Sequence, residues 1–164
     1  SHFINNLIFT SIKKLNKFSI FHILGTANYK NDHQKAEGIK SKNYFACDFV
    51  TSSDIGAVLN KAAFVIARSG ANTVWELAVL GKPAILFPLP HSASQEQLAN
   101  AKVLEMAGSA AVLNQEDIES KTFQETVKSF SASLSVYKKQ AEIFKKTLPL
   151  NAVHKIKLEI LKTT

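Results

Sequence analysis

A single cysteine, Cys47, stands in a chain of 164 residues, so no disulfide forms within it. A lone cysteine fits a reducing compartment, and it reads as a small buried hydrophobe before it reads as a nucleophile. No apolar run reaches the roughly 20 residues that span a bilayer. No cleavable leader is visible: Phe18 to Leu24 is too short, and the segment before it is already amphipathic. The sequence has no internal repeat and no low-complexity linker. It lacks a phosphate-cradling Gly-Lys-Ser loop, a nucleophile elbow and any metal-ligand spacing among its five histidines, its cysteine and its carboxylates. Arginine is nearly missing as well. Of 20 basic residues, only Arg68 is an arginine.

What remains is ordinary globular composition, 46% hydrophobic, 20% charged and 9% aromatic, in a length that suits one domain. The net charge is +7 and the pI about 9.5. The lysines are spread along helical segments and load the C-terminal end, at Lys138, Lys139, Lys145, Lys146, Lys155, Lys157 and Lys162. Basic and aromatic residues do not interleave, so nucleic acid is not an expected partner. A solvated basic face is the plain reading. Weak attraction to an anionic membrane surface is the sharper one.

Apolar spacing predicts alternating helices and strands. Ile4, Leu7, Ile8, Ile12 and Leu15 mark an amphipathic helix over 3–16. Phe18 to Leu24 is a strand ended by Gly25. Lys30 to Lys42 is a polar loop with one helical turn, and Tyr44 to Val50 a second strand. Ser52 or Ser53 caps a helix through Ala57 and Leu59. Ala62 to Ala67 is an apolar strand, and Ala71 to Leu80 a helix closed by Gly81. Pro83 to Leu89 is a strand, Gln95 to Met106 a helix closed by Gly108, and Ala110 to Leu113 a short strand. Helices follow over 119–131, 133–146 and 150–162, with Pro149 breaking the last two apart. Strands that are almost wholly apolar and alternate with helices predict a doubly wound, Rossmann-like α/β parallel sheet covered on both faces.

Such sheets bind ligands beyond the carboxyl ends of their strands. Two junctions therefore matter. In the first, a strand runs into Arg68-Ser69-Gly70-Ala71-Asn72-Thr73 and a helix begins. Free N–H groups and small residues there admit an anion. Ser69 and Thr73 add hydroxyls, and Arg68 adds a planar fork for phosphate oxygens. The lone arginine suggests a geometric demand, although it could equally hold a structural partner. Glu76, further into the helix, reaches back to vicinal hydroxyls or is simply a solvated helix glutamate. In the second junction, Pro88 and Pro90 stiffen a strand end, His91 to Ser94 form a polar loop, and Glu96, Gln97 and Asn100 open a helix. Glu96 and Gln97 suit sugar hydroxyls, while Ser94 with Gln97 also forms a capping box. His91 has no visible partner to activate it. An anion site beside a polyol site fits a nucleotide-sugar.

The run Ala67-Arg68-Ser69-Gly70-Ala71-Asn72-Thr73-Val74-Trp75-Glu76-Leu77-Ala78, then Gly81-Lys82-Pro83 through Pro90, then Gln97 and Asn100-Ala101, resembles the C-terminal half of the MurG family (glycosyltransferase family 28, GT-B fold). Ile4-Asn5-Asn6, His22-Ile23-Leu24-Gly25, Phe49-Val50 and Asn151-Ala152 extend the likeness over essentially the whole chain. The resemblance implies that residues 1–164 form one donor-binding domain, with C-terminal helices at about 119–162. UDP-N-acetylglucosamine is the implied donor, and transfer to lipid I gives lipid II in peptidoglycan synthesis. It implies an inverting, metal-independent hexosyltransferase without a cofactor, peripheral on the cytoplasmic face of the bacterial plasma membrane. By position, Arg68, Ser69, Gly70, Ala71, Asn72 and Thr73 line the donor diphosphate and sugar. Glu76 binds the ribose, and Glu96 and Gln97 meet the sugar hydroxyls. The stretch from Thr51 to Ile55 flanks the uracil.

Two departures from the family pattern stand out. Glu96 replaces the usual Gln or His, placing a carboxylate near the sugar. The family's first strand, its Gly-Gly-Ser loop and the N-terminal acceptor domain with the catalytic base have no counterpart in the chain, so no catalytic residue is expected here and the fragment is expected to be inactive alone. A single-domain subunit of a dolichol-type N-acetylglucosamine transferase, and a nucleotide-sugar-binding or epimerase-like relative, are the competing readings.

Overall fold

The structure, a computed structural model, describes residues 1–90, 95–149 and 160. His91 and Ser94, and all but residue 160 of the helix expected over 150–162, lie outside the described residues.

The chain begins with α1 (His2–Ser11), whose Ile4, Leu7 and Ile8 face the core. Its end corrects the expected helix over 3–16. Ile12 and Leu15 continue the apolar spacing, but Leu15 reaches the core from a turn, held by bonds from its N–H to the carbonyls of Ser11 and Ile12. Then come β1 (Ile20–Ile23), a tight turn over Tyr29–Asn31, α2 (Asp32–Glu37) and β2 (Tyr44–Cys47). Six helical residues in α2 exceed the single turn expected in this polar stretch. Next are α3 (Ile55–Lys61), β3 (Val65–Arg68), α4 (Ala71–Leu80), β4 (Ala84–Phe87), α5 (Glu96–Met106) and β5 (Ala110–Val112). Two helices close the described chain, α6 (Ser120–Ala132) and α7 (Leu134–Thr147). Neither Ser52 nor Ser53 caps α3; Asp54 holds that position without a side-chain bond, and Thr51 Oγ1 donates to its carboxylate at 2.6 Å.

All strand pairs are parallel. Helices cover both faces of the larger sheet, as a doubly wound fold requires. Ile85 and Phe87 point to one face, against α1 and α6; Ala84 and Leu86 point to the other, against α4, α5 and Phe144 of α7. β4 lies in the middle and is buried at all four residues. In keeping with the missing first strand, the parallel strands fall into two sheets: β1 pairs with β2, and β3, β4 and β5 form a separate sheet in that order. β1 and β3 are therefore paired on one side only, and all four residues of β3 are half-buried. Among the described residues no strand joins them. What spans both sheets is α1, through a core that collects Ile4, Leu24, Tyr44 and Phe87.

Candidate functional site

The carboxyl ends of β3 and β4 meet the starts of α1, α4 and α5 in one place, and side chains bind them together. Arg68 ends β3. Its Nε donates to Ser1 Oγ at 3.1 Å, Nη1 donates to the carbonyls of Phe87 and Pro88 at 3.2 and 3.3 Å, and Nη2 donates to Gln115. Its guanidinium also lies 5.3 Å from the Phe3 ring centre. Burial lowers its pKa. The lone arginine meets a structural demand: its planar fork reaches four acceptors on three separate segments. Those acceptors are carbonyls, a hydroxyl and an amide, and none is a carboxylate.

Ser69 is fully buried, and its Oγ donates to the carbonyl of Gln97 at 2.7 Å. Its hydroxyl is thus committed to tying α5 to the β3 turn. Asn100 Nδ2 donates to the Ser69 carbonyl at 3.4 Å, and Gln97 Oε1 accepts from the N–H of Leu89 at 3.1 Å. Gln97 therefore acts through its amide on the β4 end, and the capping box expected with Ser94 lies outside the described residues.

The groups left facing outward are those of α4. Gly70 caps the helix, and the first intrahelical bond runs from Val74 N to the Gly70 carbonyl. Ala71, Asn72 and Thr73 therefore present backbone N–H groups with no acceptor among the described residues. A methyl built on Gly70 meets nothing within 4 Å, so the space above this turn is open. Thr73 and Glu76 lie three residues apart and Asn72 and Glu76 four apart, which sets all three on one face. Glu76 is half-buried, with no partner among the described residues. Glu96 is exposed at the start of α5, and Ile55 is half-buried at the start of α3. The arrangement offers an anion three amides and a partial positive charge, and a polyol the carboxylates beside them.

Sequence reasoning missed a second polar cluster. Asp32 is buried to 1% exposure beneath α1. Both of its oxygens lie near His2 Nδ1, at 2.9 and 3.0 Å, and Oδ2 also accepts from Asn5 Nδ2 at 2.8 Å. Asn5 Oδ1 faces His22 Nε2 at 2.9 Å, and His22 Nδ1 faces the Tyr44 hydroxyl at 2.9 Å. The proton positions follow. Asn5 Oδ1 can only accept, so His22 carries its proton on Nε2, and Tyr44 donates to Nδ1. Burial pushes His22 down to about 4 and Tyr44 up to about 12. Burial alone would raise the Asp32 carboxyl, but bonds from Asn5 and His2 and the charges of His2 and Lys35 hold it below the usual range. No spacing links positions 2, 5, 22, 32 and 44, so only the fold reveals them. Cys47 is half-buried, and burial and Asp48 push its thiol up, against a nucleophilic role.

The chain matches the model of the glycosyltransferase family 28 C-terminal domain over residues 1–154. It is 36% identical to a UDP-N-acetylglucosamine–N-acetylmuramyl-(pentapeptide) pyrophosphoryl-undecaprenol N-acetylglucosamine transferase of Prochlorococcus marinus (strain AS9601), across 97% of this chain and 44% of that protein. The protein of the same name from Treponema denticola is 37% identical, across 73% of this chain and 32% of its own length. The chain thus spans less than half of the relatives it matches. Among solved structures, Acinetobacter baumannii MurG superposes with a TM-score of 0.73 at 19% identity, over 97% of this chain and 46% of that one. The calicheamicin glycosyltransferase CalG4 does so at 0.70 and 16%, over 96% and 40%. At such identities these two structures speak for the fold alone.

Proposed function

The chain belongs to the glycosyltransferase family 28 C-terminal domain family, and on that premise we propose that it is the donor half of a UDP-N-acetylglucosamine-dependent hexosyltransferase that converts lipid I to lipid II. The observation that carries this reading is the start of α4. Three N–H groups without an acceptor among the described residues lie beneath open space at Gly70, with Glu76 about a turn further along the same face. The diphosphate docks on the amides of Ala71, Asn72 and Thr73, and Glu76 takes the ribose hydroxyls. Gln97 and Glu96 flank the sugar, and Ile55 stands by the base. Arg68 and Ser69 shape the turn, and Arg68 adds its charge to the site.

The reaction on this reading is a direct displacement. A base outside this chain takes the acceptor's hydroxyl proton, the oxygen attacks the anomeric carbon, and UDP leaves. The charge growing on UDP is stabilised by the α4 amides, fixed in place before the reaction. No metal or cofactor takes part in this scheme. The acceptor domain and the base belong to sequence beyond this chain. None of the described helices is long and apolar enough to cross a membrane. Contact with the anionic cytoplasmic surface of the membrane is assigned to the lysine-rich exterior.

Calorimetry with UDP tests the donor site. Glu76→Ala is expected to weaken binding by roughly tenfold to a hundredfold, the range for losing a hydrogen bond to a charged group. Lys138→Ala, on exposed α7, is expected to leave it unchanged. Equal affinities in the two variants would remove the assignment.

A further inference from the structure

β1 and β2 form a parallel pair, and parallel strands are normally covered on both faces. This pair is covered on one. His22 and Tyr44 are buried in the core. Their chain neighbours Phe21 and Phe45 point the other way and lie directly opposite each other in the register. Phe21 is 53% exposed and Phe45 59% exposed, and neither joins a core cluster. Two aromatic rings thus face solvent side by side.

The loops that lead into these strands carry lysine. Asn43 Nδ2 donates to the carbonyl of Asn16 at 3.2 Å, and the N–H of Ile20 donates to the carbonyl of Asn43 at 2.8 Å. These bonds hold the run 12–19 against the run 38–43. Lys17 and Lys42 adjoin the contact in sequence, and Lys13, Lys14 and Lys40 lie within three residues of it. All five lysines are exposed. Lys40 Nζ donates to the carbonyl of Glu37 at 3.4 Å, and the other four ammonium groups have no partner among the described residues. Neither run contains a carboxylate; Glu37 ends α2 and Asp48 follows β2. Phe21 and Phe45 are each the second residue of their strand, so the rings stand next to these loops.

We propose that this uncovered face is the surface by which the domain rests on an anionic bilayer. Phe21 and Phe45 enter the headgroup region, and the lysines of the two loops meet lipid phosphates. This deepens the membrane contact assigned above and rests on it. Apolar side chains rimmed by lysine have the chemistry of an interfacial contact. A second copy of the chain is a poor occupant, because a two-fold pairing would set the same lysines against each other. The face shares no residue with the candidate donor site, which is built on β3, β4, α4 and α5.

The test is cosedimentation of the chain with vesicles of phosphatidylcholine alone, and with vesicles of phosphatidylcholine and phosphatidylglycerol in equal parts. The wild-type chain is expected to bind the mixed vesicles, to ignore the neutral ones and to be released by salt. Phe21→Ser with Phe45→Ser is expected to weaken binding by roughly tenfold or more. Lys13→Glu, Lys17→Glu and Lys42→Glu together are expected to weaken it by about a hundredfold or more. Lys138→Glu, Lys139→Glu and Lys146→Glu, exposed on α7, change the net charge equally and are expected to cost less than about tenfold. An α7 triple variant that loses as much as the loop triple would overturn the proposal, since net charge alone gives that result. So would a serine pair that binds like wild type, or equal binding to neutral vesicles. Melting curves check that each variant folds; should the serine pair fail to fold, the loop triple against the α7 triple decides. A wild-type chain that ignores the vesicles and binds polyglutamate assigns the face to an acidic protein and overturns the proposal. One that binds neither overturns it together with the membrane contact. Calorimetry with UDP keeps the donor reading apart: its affinity is expected to be the same in all these variants, and a chain that binds vesicles but no UDP fails only as a donor domain.

Discussion

Gly70 is the residue where shape and function separate most cleanly. Its backbone, at φ −61° and ψ 151°, suits any residue, and an added methyl touches nothing. Gly70→Ala is therefore expected to leave thermal stability within about 0.5 kcal/mol, as surface changes usually do. It should nonetheless weaken UDP binding if a diphosphate approaches the α4 amides. A melting curve beside a binding isotherm checks both halves, and tight binding by the variant would refute the placement. His22 makes the opposite kind of prediction. Its pKa falls from an ordinary 6.5 to about 4 because the core excludes charge. The unfolded chain thus binds more protons than the folded one between those values, and stability falls as pH drops through that window. The loss approaches roughly 3 kcal/mol by pH 4. Asp32, held below its ordinary range, weakens the fold in the same direction at still lower pH. Denaturant titrations at pH 7 and pH 4.5 measure this, and His22→Gln should show the smaller difference. Arg68, Glu76 and Gln97 were legible as site candidates because their residue types are rare or polar beside an apolar strand end. Their division of labour was not. That Arg68 braces carbonyls while Glu76 has no partner among the described residues depends on which segments the fold brings alongside.

At the scale of the element, α4 decides the site, and both of its ends are written in the chain. Gly70 and the small residues after it open the helix. Gly81 closes it at φ +64°, with its N–H bonded to Ala78 and that of Lys82 to Leu77. This is the left-handed cap that glycine adopts without strain. A methyl at Gly81 would also come within 2.7 Å of Glu142 Oε1 on α7, a flexible group able to retreat. Gly81→Ala is expected to destabilise the fold by about 1–2 kcal/mol, mostly from the backbone. Chemical denaturation measures it, and a variant as stable as wild type would show that the cap is not strained. Caps made by side chains were less legible. Neither serine caps α3, because the local bonds of Thr51 to Ser53 and Asp54 occupy that turn instead. α2 exceeded its expected single turn because Asp32 and Ala36 are buried under α1, a packing gain that its polar sequence does not display.

At the scale of the molecule, the split between β1 and β3 dominates. Central parallel strands are normally buried on both faces and paired on both edges. β4 meets that description and β3 does not. Among the described residues, the facing edges of β1 and β3 are unpaired, which invites pairing with another chain. Joining an apolar, β-branched segment of about five residues ahead of Ser1, long enough for a typical strand, is expected to raise the melting temperature. It should also reduce any self-association seen by sedimentation velocity. An extension that leaves both unchanged would mean that the two edges do not share a strand site.

The sequence alone determined the class of the fold, the order of its elements and the two junctions proposed for a ligand. Those follow from local rules: apolar runs make parallel strands, helical spacing makes their covers, and glycine and proline mark the ends. Tertiary structure alone decided that Ser69 is sealed and Gly70 open, and that His2 leans on Asp32 thirty residues away. These depend on contacts between segments distant in the chain. Hydrogen bonds and burial assign each polar group its partner only after the chain has folded.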